Sequence, residues 1–549
     1  MRGITRRMAG TRNSNGSTGC GSKLRVVART AAAKRSVGIT GHQRMETGSR
    51  RRRFLNVTLL TGARREAMYL VAQPVVFLHP PFKINEGVSM SHGVRVFALL
   101  GVCLLIAGGA FAGTFTVTNT NATGPGSLAD AISQANAVSG PHTINISVTG
   151  SVSVTTPLVL TQSMTINGPV ATPPTFALDG GNTSRLIQVS PSAAGAMTLN
   201  FVTLTHGHVD SVKGGAIDLP SGKTLNLNNC LVTANTTTGT SSSDILFAAG
   251  GAVSAAGTLN IQTSTFSDNT ATAPGGAIYA APSATISIAS SVFSGNQATT
   301  FAGAMYCDST TMVTITNTTF FANQSGSGGA GAVGFTNSKA VISGSTFMNN
   351  TTLGAGGALV TNARAGASIG IENSTFSGNT ANFAGAFYAQ AGTTDLRNVT
   401  ITANTVHLFG GGFNNPGGSI VAMRNTIVAG NNGVSSGPDC SGPVVSSGYN
   451  LIGNAIGCTG LISTDLTGSS PALGPLSING GPTLTHVPLA SSAAFEGGTP
   501  SGCLGLNGSA LTVDQRGQSR PFGPRCDIGA VELQVAAPIV PPRHRAATH

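Results

Sequence analysis

The chain has 549 residues, with 74 Gly, no Trp, 5% aromatic and only 9% charged residues, against roughly 25% charged in an ordinary soluble domain. At 40% hydrophobic it is too apolar to be disordered throughout, and its Gly, Thr, Val and Asn suit many short strands joined by tight turns. The formal charge of +12 belongs to residues 1–89, which hold 17 Lys/Arg against 3 Asp/Glu; the remaining 460 hold 13 against 15 and offer no basic face for a nucleic acid.

From the N-terminus, SRRRRFLNV (49–57) has the composition of a nucleic-acid or targeting patch. The stretch from Met90, MSHGVRVFALLGVCLLIAGGAFAG, is more informative. Arg95 supplies a positive start, Val96 to Ala110 an apolar run of fifteen, and Ala110-Phe111-Ala112 a small-x-small cleavage site before Gly113. This reads as a secretory signal peptide over 90–112, shorter than the roughly 20 residues of a comfortable membrane span. Signal peptides stand at N-termini, so Met90 is the expected start and 1–89 an upstream stretch without periodicity. The alternatives are a long n-region or an uncleaved anchor behind a basic cytoplasmic tail. The mature protein is expected to be secreted or on the outer cell surface of a bacterium, with no transmembrane span after cleavage.

GPGSLADAISQANA (124–137) reads as a capping helix. Ser127 and Asp130 form a capping-box pattern, and Leu128, Ala131, Ile132 and Ala135 fall on one face. Residues 142–190 hold strand-like runs, HTINISV, SVSVTT, SMTING and TFALDGG, enough for three or four irregular rungs.

A regular repeat follows. The second Gly of GGAI and its variants recurs at Gly215, Gly251, Gly276, Gly303, Gly331, Gly357, Gly385 and Gly411. In step with it run Phe266, Phe293, Phe320, Phe347 and Phe376, each three residues before Asn269, Asn296, Asn323, Asn350 and Asn379; Val232, Ile401 and Val428 extend the first column, and Asn235, Asn404 and Asn431 the second. A repeat of 25–28 residues is too short for a βαβ unit. Alternation in TLNIQTSTF (258–266) and ATISIASSVF (284–293) is strand-like. Three short strands per repeat, stacked as rungs, bury an inner face that one rung cannot. Phe becomes a stacked inward knob, Asn a hydrogen-bonded ladder at a turn, and Gly-Gly a bend of positive φ or close backbone approach. The expected fold is all-β, a right-handed parallel β-helix of the pectin lyase-like kind with about twelve rungs over 113–430. The insert TTTGTSSSDILFAA (236–249) is expected to bulge from one rung, and Cys230 and Cys307 to be unpaired packing residues.

Residues 431–533 form a C-terminal module with four cysteines, followed by a tail over 534–549. Pairs Cys440–Cys458 and Cys503–Cys526 would each close a short loop and stabilise by roughly 3 kcal/mol; free buried thiols are the alternative. Asp514, Arg516, Arg520, Asp527 and Glu532 make a charge cluster, read either as a ligand site or as ion pairing that pins the loop.

Three stretches carry resemblances. The alternation of GGAI (275–278) and FxxN (293–296) resembles the repeats of polymorphic outer membrane proteins, over about 214–431. GSLADAI (126–132) is similar in part to the CSLREA-type motif found before bacterial β-helices. GYNLIGNAIGC (448–458), DLTGSSPALGPLSINGGPTLTHVPLASSAAFEGG (465–498) and VDQRGQSRPFGPRCDIGAVE (513–532) resemble the choice-of-anchor Q domain, which implies an exported, surface-sorted protein.

A sugar-cleaving β-helix would need carboxylates, and a cation site in a lyase, at like positions of adjacent rungs. Residues 113–430 contain nine acidic residues and no acidic column: Asp268 is matched by Gly295, Ala322, Asn349 and Gly378, and Asp308 by Ala281 and Thr336. His206, His208, Asp210 and Asp218 in THGHVDSVKGGAID (205–218) are the best catalytic or metal candidates, an exposed loop being the plainer reading. No metal-spaced Cys/His set, calcium nonapeptide or phosphate loop occurs, so no metal or cofactor is expected. The favoured role is non-enzymatic adhesion or carbohydrate binding by a monomer, its partner a polysaccharide or host or cell-surface ligand and not a nucleic acid. The rival is a polysaccharide lyase or glycoside hydrolase on the same fold.

Overall fold

The computed structural model describes residues 112–239, 246–310, 312–362, 366–433 and 437–535. It also describes two short strands, Gly38–Ile39 and Val57–Thr58, which pair antiparallel. The expected signal peptide, nearly all of the upstream stretch and most of the tail lie outside these residues.

From Thr114 onward the chain coils into a solenoid of about 12 turns whose strands pair in parallel with the equivalent strands of the next turn. One turn shows the plan. Ile278–Ala280 is the first strand, Thr285–Ala289 the second, Val292–Ser294 the third and Gln297–Ala298 the fourth. Each sits in register on its successor, with Tyr279 opposite Tyr306, Ile286 opposite Val313, Phe293 opposite Phe320 and Gln297 opposite Gln324. The sequence pattern suggested three strands per turn; the fourth, often two residues long, is too short to show as alternation.

Each corner has its own chemistry. The residue before the ladder Asn is left-handed in successive turns, as at Asp268, Gly295, Ala322, Asn349 and Gly378 (φ 51–68°). That is why small or amide residues hold this column. Inside, Phe266, Phe293, Phe320, Phe347 and Phe376 are fully buried and stack at 4.7–5.0 Å with rings within 14° of parallel. Burial of each ring is worth about 2–3 kcal/mol and its stacking about 1 kcal/mol more.

The two glycines of the repeat divide their work. The first, as at Gly275 (φ 78°), is left-handed; Ala302, Ala330 and Ala384 take the same conformation at φ 56–60°. The second needs room: a Cβ on Gly276 would strike the carbonyl oxygens of Gly303 and Gln297, and one on Gly303 those of Gly331 and Gln324.

At the N-terminal end, helix α1 (Leu128–Asn136) closes the stack with Leu128, Ala131, Ile132 and Ala135 buried. The Ser127 hydroxyl accepts from the Asp130 amide at 3.2 Å, and the Asp130 carboxylate accepts from the Gly126 amide at 3.2 Å, a shifted capping box. At the other end, disulfide Cys440–Cys458 ties down a loop whose Ala455 and Leu461 pack on the core. The chain then doubles back: beyond Leu466–Thr467 it runs as an irregular arm along the outside of earlier turns. The arm contains the second disulfide, Cys503–Cys526.

Candidate functional site

The solenoid places the four residues singled out as catalytic candidates at a corner and on two strands. His206 sits at a corner (φ 50°), its Nδ1 3.1 Å from Asp179 Oδ1 one turn back. His208 and Asp210 lie on a fourth strand, where the Asp210 carboxylate accepts from the Thr238 hydroxyl at 3.0 Å. Asp218 lies on a first strand, 3.9 Å from the Arg185 guanidinium. Burial pulls Arg185 below its usual value, and Asp218 opposes this. Among the described residues no hydrogen bond or ion pair joins any two of the four. Proximity in sequence means little where the chain turns a corner every few residues.

The charge cluster resolves into an internal network. Arg520 is buried, donating to Glu532 Oε2 at 3.1 Å, Asn373 Oδ1 at 2.9 Å, Asp527 O at 2.8 Å and Gly529 O at 2.7 Å. Asp514 accepts from Arg516 Nη2 at 2.8 Å and from the Glu532 amide at 2.9 Å. Burial pushes the Asp527 carboxyl up to about 7 although the amides of Glu496 and Leu533 donate to it. Every charge here is answered from within, as a structural clamp requires. Glu532, Cys503 and Cys526 bring three ligand-type atoms together, but both sulfurs are in a disulfide and neither is a thiolate.

The Asn column forms a continuous ladder. Each Nδ2 donates to the next Oδ1, at 3.0 Å from Asn235 to Asn269 and at 2.8–2.9 Å onward through Asn296, Asn323, Asn350, Asn379, Asn404 and Asn431. It ends on Asp439, whose carboxylate accepts from the Asn431 amide and side chain, both at 2.9 Å. A carboxylate suits a terminus because it accepts without needing a further partner. Cys230 takes the place of the corner Ser of later turns, and burial raises its thiol to about 11; Cys307 is buried among the apolar residues.

Residues 186–370 match the family model described as the right handed beta helix region. The solenoid is a right-handed parallel β-helix. Comparison with curated proteins gives no match.

Two outer surfaces remain as places to bind. On second strands, a partly exposed amide ladder runs through Asn145, Asn167, Asn200 and Asn228, with Nδ2 to Oδ1 contacts of 2.7–2.9 Å. On first strands, Tyr279, Tyr306 and Tyr388, three of the chain's five tyrosines, point outward at one repeat position, with Gly334 and Val360 between the last two; Tyr279 is buried against Ala248 and Ala249, and Tyr306 and Tyr388 are partly exposed. Tyr306 and Tyr388, together with Phe301, pack over Val360 outside the β-helix. Sequence reading missed this column, although a Tyr recurs directly after Ile278, Met305 and Phe387 at one repeat position. A cleft of about 320 Å³ between α1 and Val152–Val159 has no ionisable wall residue.

Proposed function

We propose that the chain is an exported bacterial β-helix protein that binds an extended carbohydrate on its lateral surface, an adhesion or carbohydrate-binding role rather than a catalytic one. One observation carries this reading. His206, Asp210 and Asp218 are each held by a different partner, whereas the outer amides Asn145, Asn167, Asn200 and Asn228 form an unbroken row along the axis. Rows at a fixed rise suit a polymer with its own repeat. The GGAI and FxxN alternation and the choice-of-anchor Q-like C-terminus support export to the cell surface. No helix among the described residues is long and apolar enough to cross a membrane.

The test is a polysaccharide panel assayed in parallel for retention and for release of reducing ends or unsaturated uronate. Retention without turnover is expected. Turnover lost on Asp210→Ala or Asp218→Ala would establish the lyase or hydrolase reading instead.

A further inference from the structure

Several large exposed apolar side chains share one edge of the β-helix, apart from others such as Val292, Phe321 and Ile420 on second and third strands. Phe247, Leu353, Phe383, Leu408 and Phe409 are 37–65% exposed. Phe383, Leu408 and Phe409 lie at the ends of fourth strands, and Phe247, Phe301 and Leu353 in the turns that follow one, each ahead of the second Gly of the repeat. Backbone contacts stack these turns on one another: Phe301 bridges to Gly329, Ala355 to Phe383, and Phe383 pairs with Phe409. The edge is therefore an ordered strip, about 29 Å long from Phe247 to Phe409 at one residue layer per turn.

Its surroundings define a ligand. The six edge segments 270–276, 297–303, 324–331, 351–357, 380–385 and 405–411 contain no Asp, Glu, Lys or Arg, and one His, His407. Thr, Asn and Gln flank the rings, and the Thr300 hydroxyl beside Phe301 is buried without a hydrogen-bond partner. Phe301 stands nearly perpendicular to Tyr306, 5.3 Å away at 88°, while Phe383 and Phe409 lie stacked at 6.3 Å and 25°. Ring faces beside neutral hydroxyl and amide groups match the apolar face and hydroxyl rim of a sugar ring. Within these segments a charged polymer finds no fixed counter-charge, although Lys213 stands over the Tyr279 ring at 4.6 Å in the neighbouring column.

We propose that this turn edge, next to the tyrosine column, is the carbohydrate site, and that its ligand is an uncharged polysaccharide lying along the β-helix axis and stacked on Phe301, Phe383 and Phe409. The proposal rests on the carbohydrate-binding reading above and names both the surface and the class.

The experiment measures depletion of the mature chain by insoluble cellulose and β-1,3-glucan, and by polygalacturonate as a charged comparison. The wild type, Phe383→Ser/Phe409→Ser and Asn200→Ala/Asn228→Ala are compared, with circular dichroism and urea midpoints confirming the fold. Retention by an uncharged glucan that persists in 1 M salt, about tenfold weaker in the Phe double variant and unchanged in the Asn variant, is the expected result. Loss in the Asn variant alone would overturn the strip and leave the carbohydrate reading intact. Preference for polygalacturonate would overturn the uncharged ligand. A wild-type dimer made monomeric by the Phe changes would identify the strip as a contact between copies. Failure of the wild type to bind any glycan would remove both proposals.

Discussion

Between Asn235 and Asn431 the β-helix holds one corner with a single residue type repeated turn after turn. Between Thr483 and Glu532 the arm holds on through contacts that each occur once. Gln515 donates to Thr346 Oγ1 at 2.9 Å and accepts from Thr375 at 2.6 Å; Asn373 and Asn398 donate to the carbonyls of Val513 and Leu504 at 3.0 Å; the Leu506 amide donates to Glu372 at 2.9 Å. The repeats need no buried charge, because each turn is a template for the next. The arm lies on a surface that does not repeat its own pattern and fixes its position with a buried ion pair and a disulfide. Damage to the ladder should therefore weaken many turns together, whereas damage to the clamp should release the arm and spare the β-helix.

The largest effect should come from the repeat. Gly276→Val drives a branched side chain into the carbonyl oxygens of Gly303 and Gln297, where the stacked backbones cannot separate. About 5 kcal/mol or outright failure to fold is expected, read as loss of soluble protein or of the urea midpoint. Gly275→Ala also meets a carbonyl oxygen, that of Ile278, but Ala302, Ala330 and Ala384 occupy this position at φ 56–60°, so a small backbone shift relieves it and the cost should be lower, about 2 kcal/mol.

Next comes the clamp. Arg520→Met leaves Glu532 buried without its cation and should weaken the arm by about 4 kcal/mol. Limited proteolysis should cut between 468 and 533 while the β-helix stays intact. Adding Glu532→Leu should restore part of the protection, since the unpaired charge is then gone. Cleavage spread through the β-helix would show that arm and repeats unfold as one unit. Asn296→Ala tests the ladder itself. Its side chain donates to Asn323 Oδ1 and to the Phe266 carbonyl, both at 2.9 Å, and accepts from the Asn269 amide at 3.1 Å. Stranding these buried groups should cost about 3 kcal/mol, with hydrogen exchange accelerating in the turns on either side.

The same contrast decides what sequence can show. The Phe, Asn and Gly columns were legible because repetition makes a physical role visible as a spacing. The arm's path was not, because each contact is made once and joins residues more than a hundred apart. One clue exists in hindsight. Glu372-Asn373, Arg397-Asn398 and Arg424-Asn425 place a charge and an amide at one corner of three successive turns, where earlier turns carry Gln262-Thr263 and Ala289-Ser290. These are turns the arm covers. The catalytic candidates drew notice for the opposite reason: His206, Asp210 and Asp218 are close in sequence, and the β-helix assigns them to a corner and two different strands. The turn-edge aromatics were hidden because their offset from Gly-Gly varies between turns.

The last predicted effect concerns pH and only the arm. Asp527 is buried in the arm and titrates at about 7, raised mainly by desolvation; Glu532 raises it further, and the amide bonds and Arg520 hold it back. In the unfolded chain the same carboxyl loses its proton near pH 4. Between those values the folded arm holds a proton that the unfolded chain has released, so this group's contribution to stability falls as pH rises from about 4 to about 7 and is flat above. The amides of Glu496 and Leu533, each at 2.6 Å, stabilise the ionised form and keep the shift smaller than desolvation alone would make it. Arm protection against proteolysis, followed from pH 4 to 8, should decline across that window in the wild type and lose the slope in Asp527→Asn. The ladder of neutral amides has no reason to follow it, so hydrogen exchange near Asn296 should be flat over the same range once corrected for intrinsic rate. A slope of equal size at both places would mean that the arm's charges are felt through the whole β-helix and that the two regions are not independent.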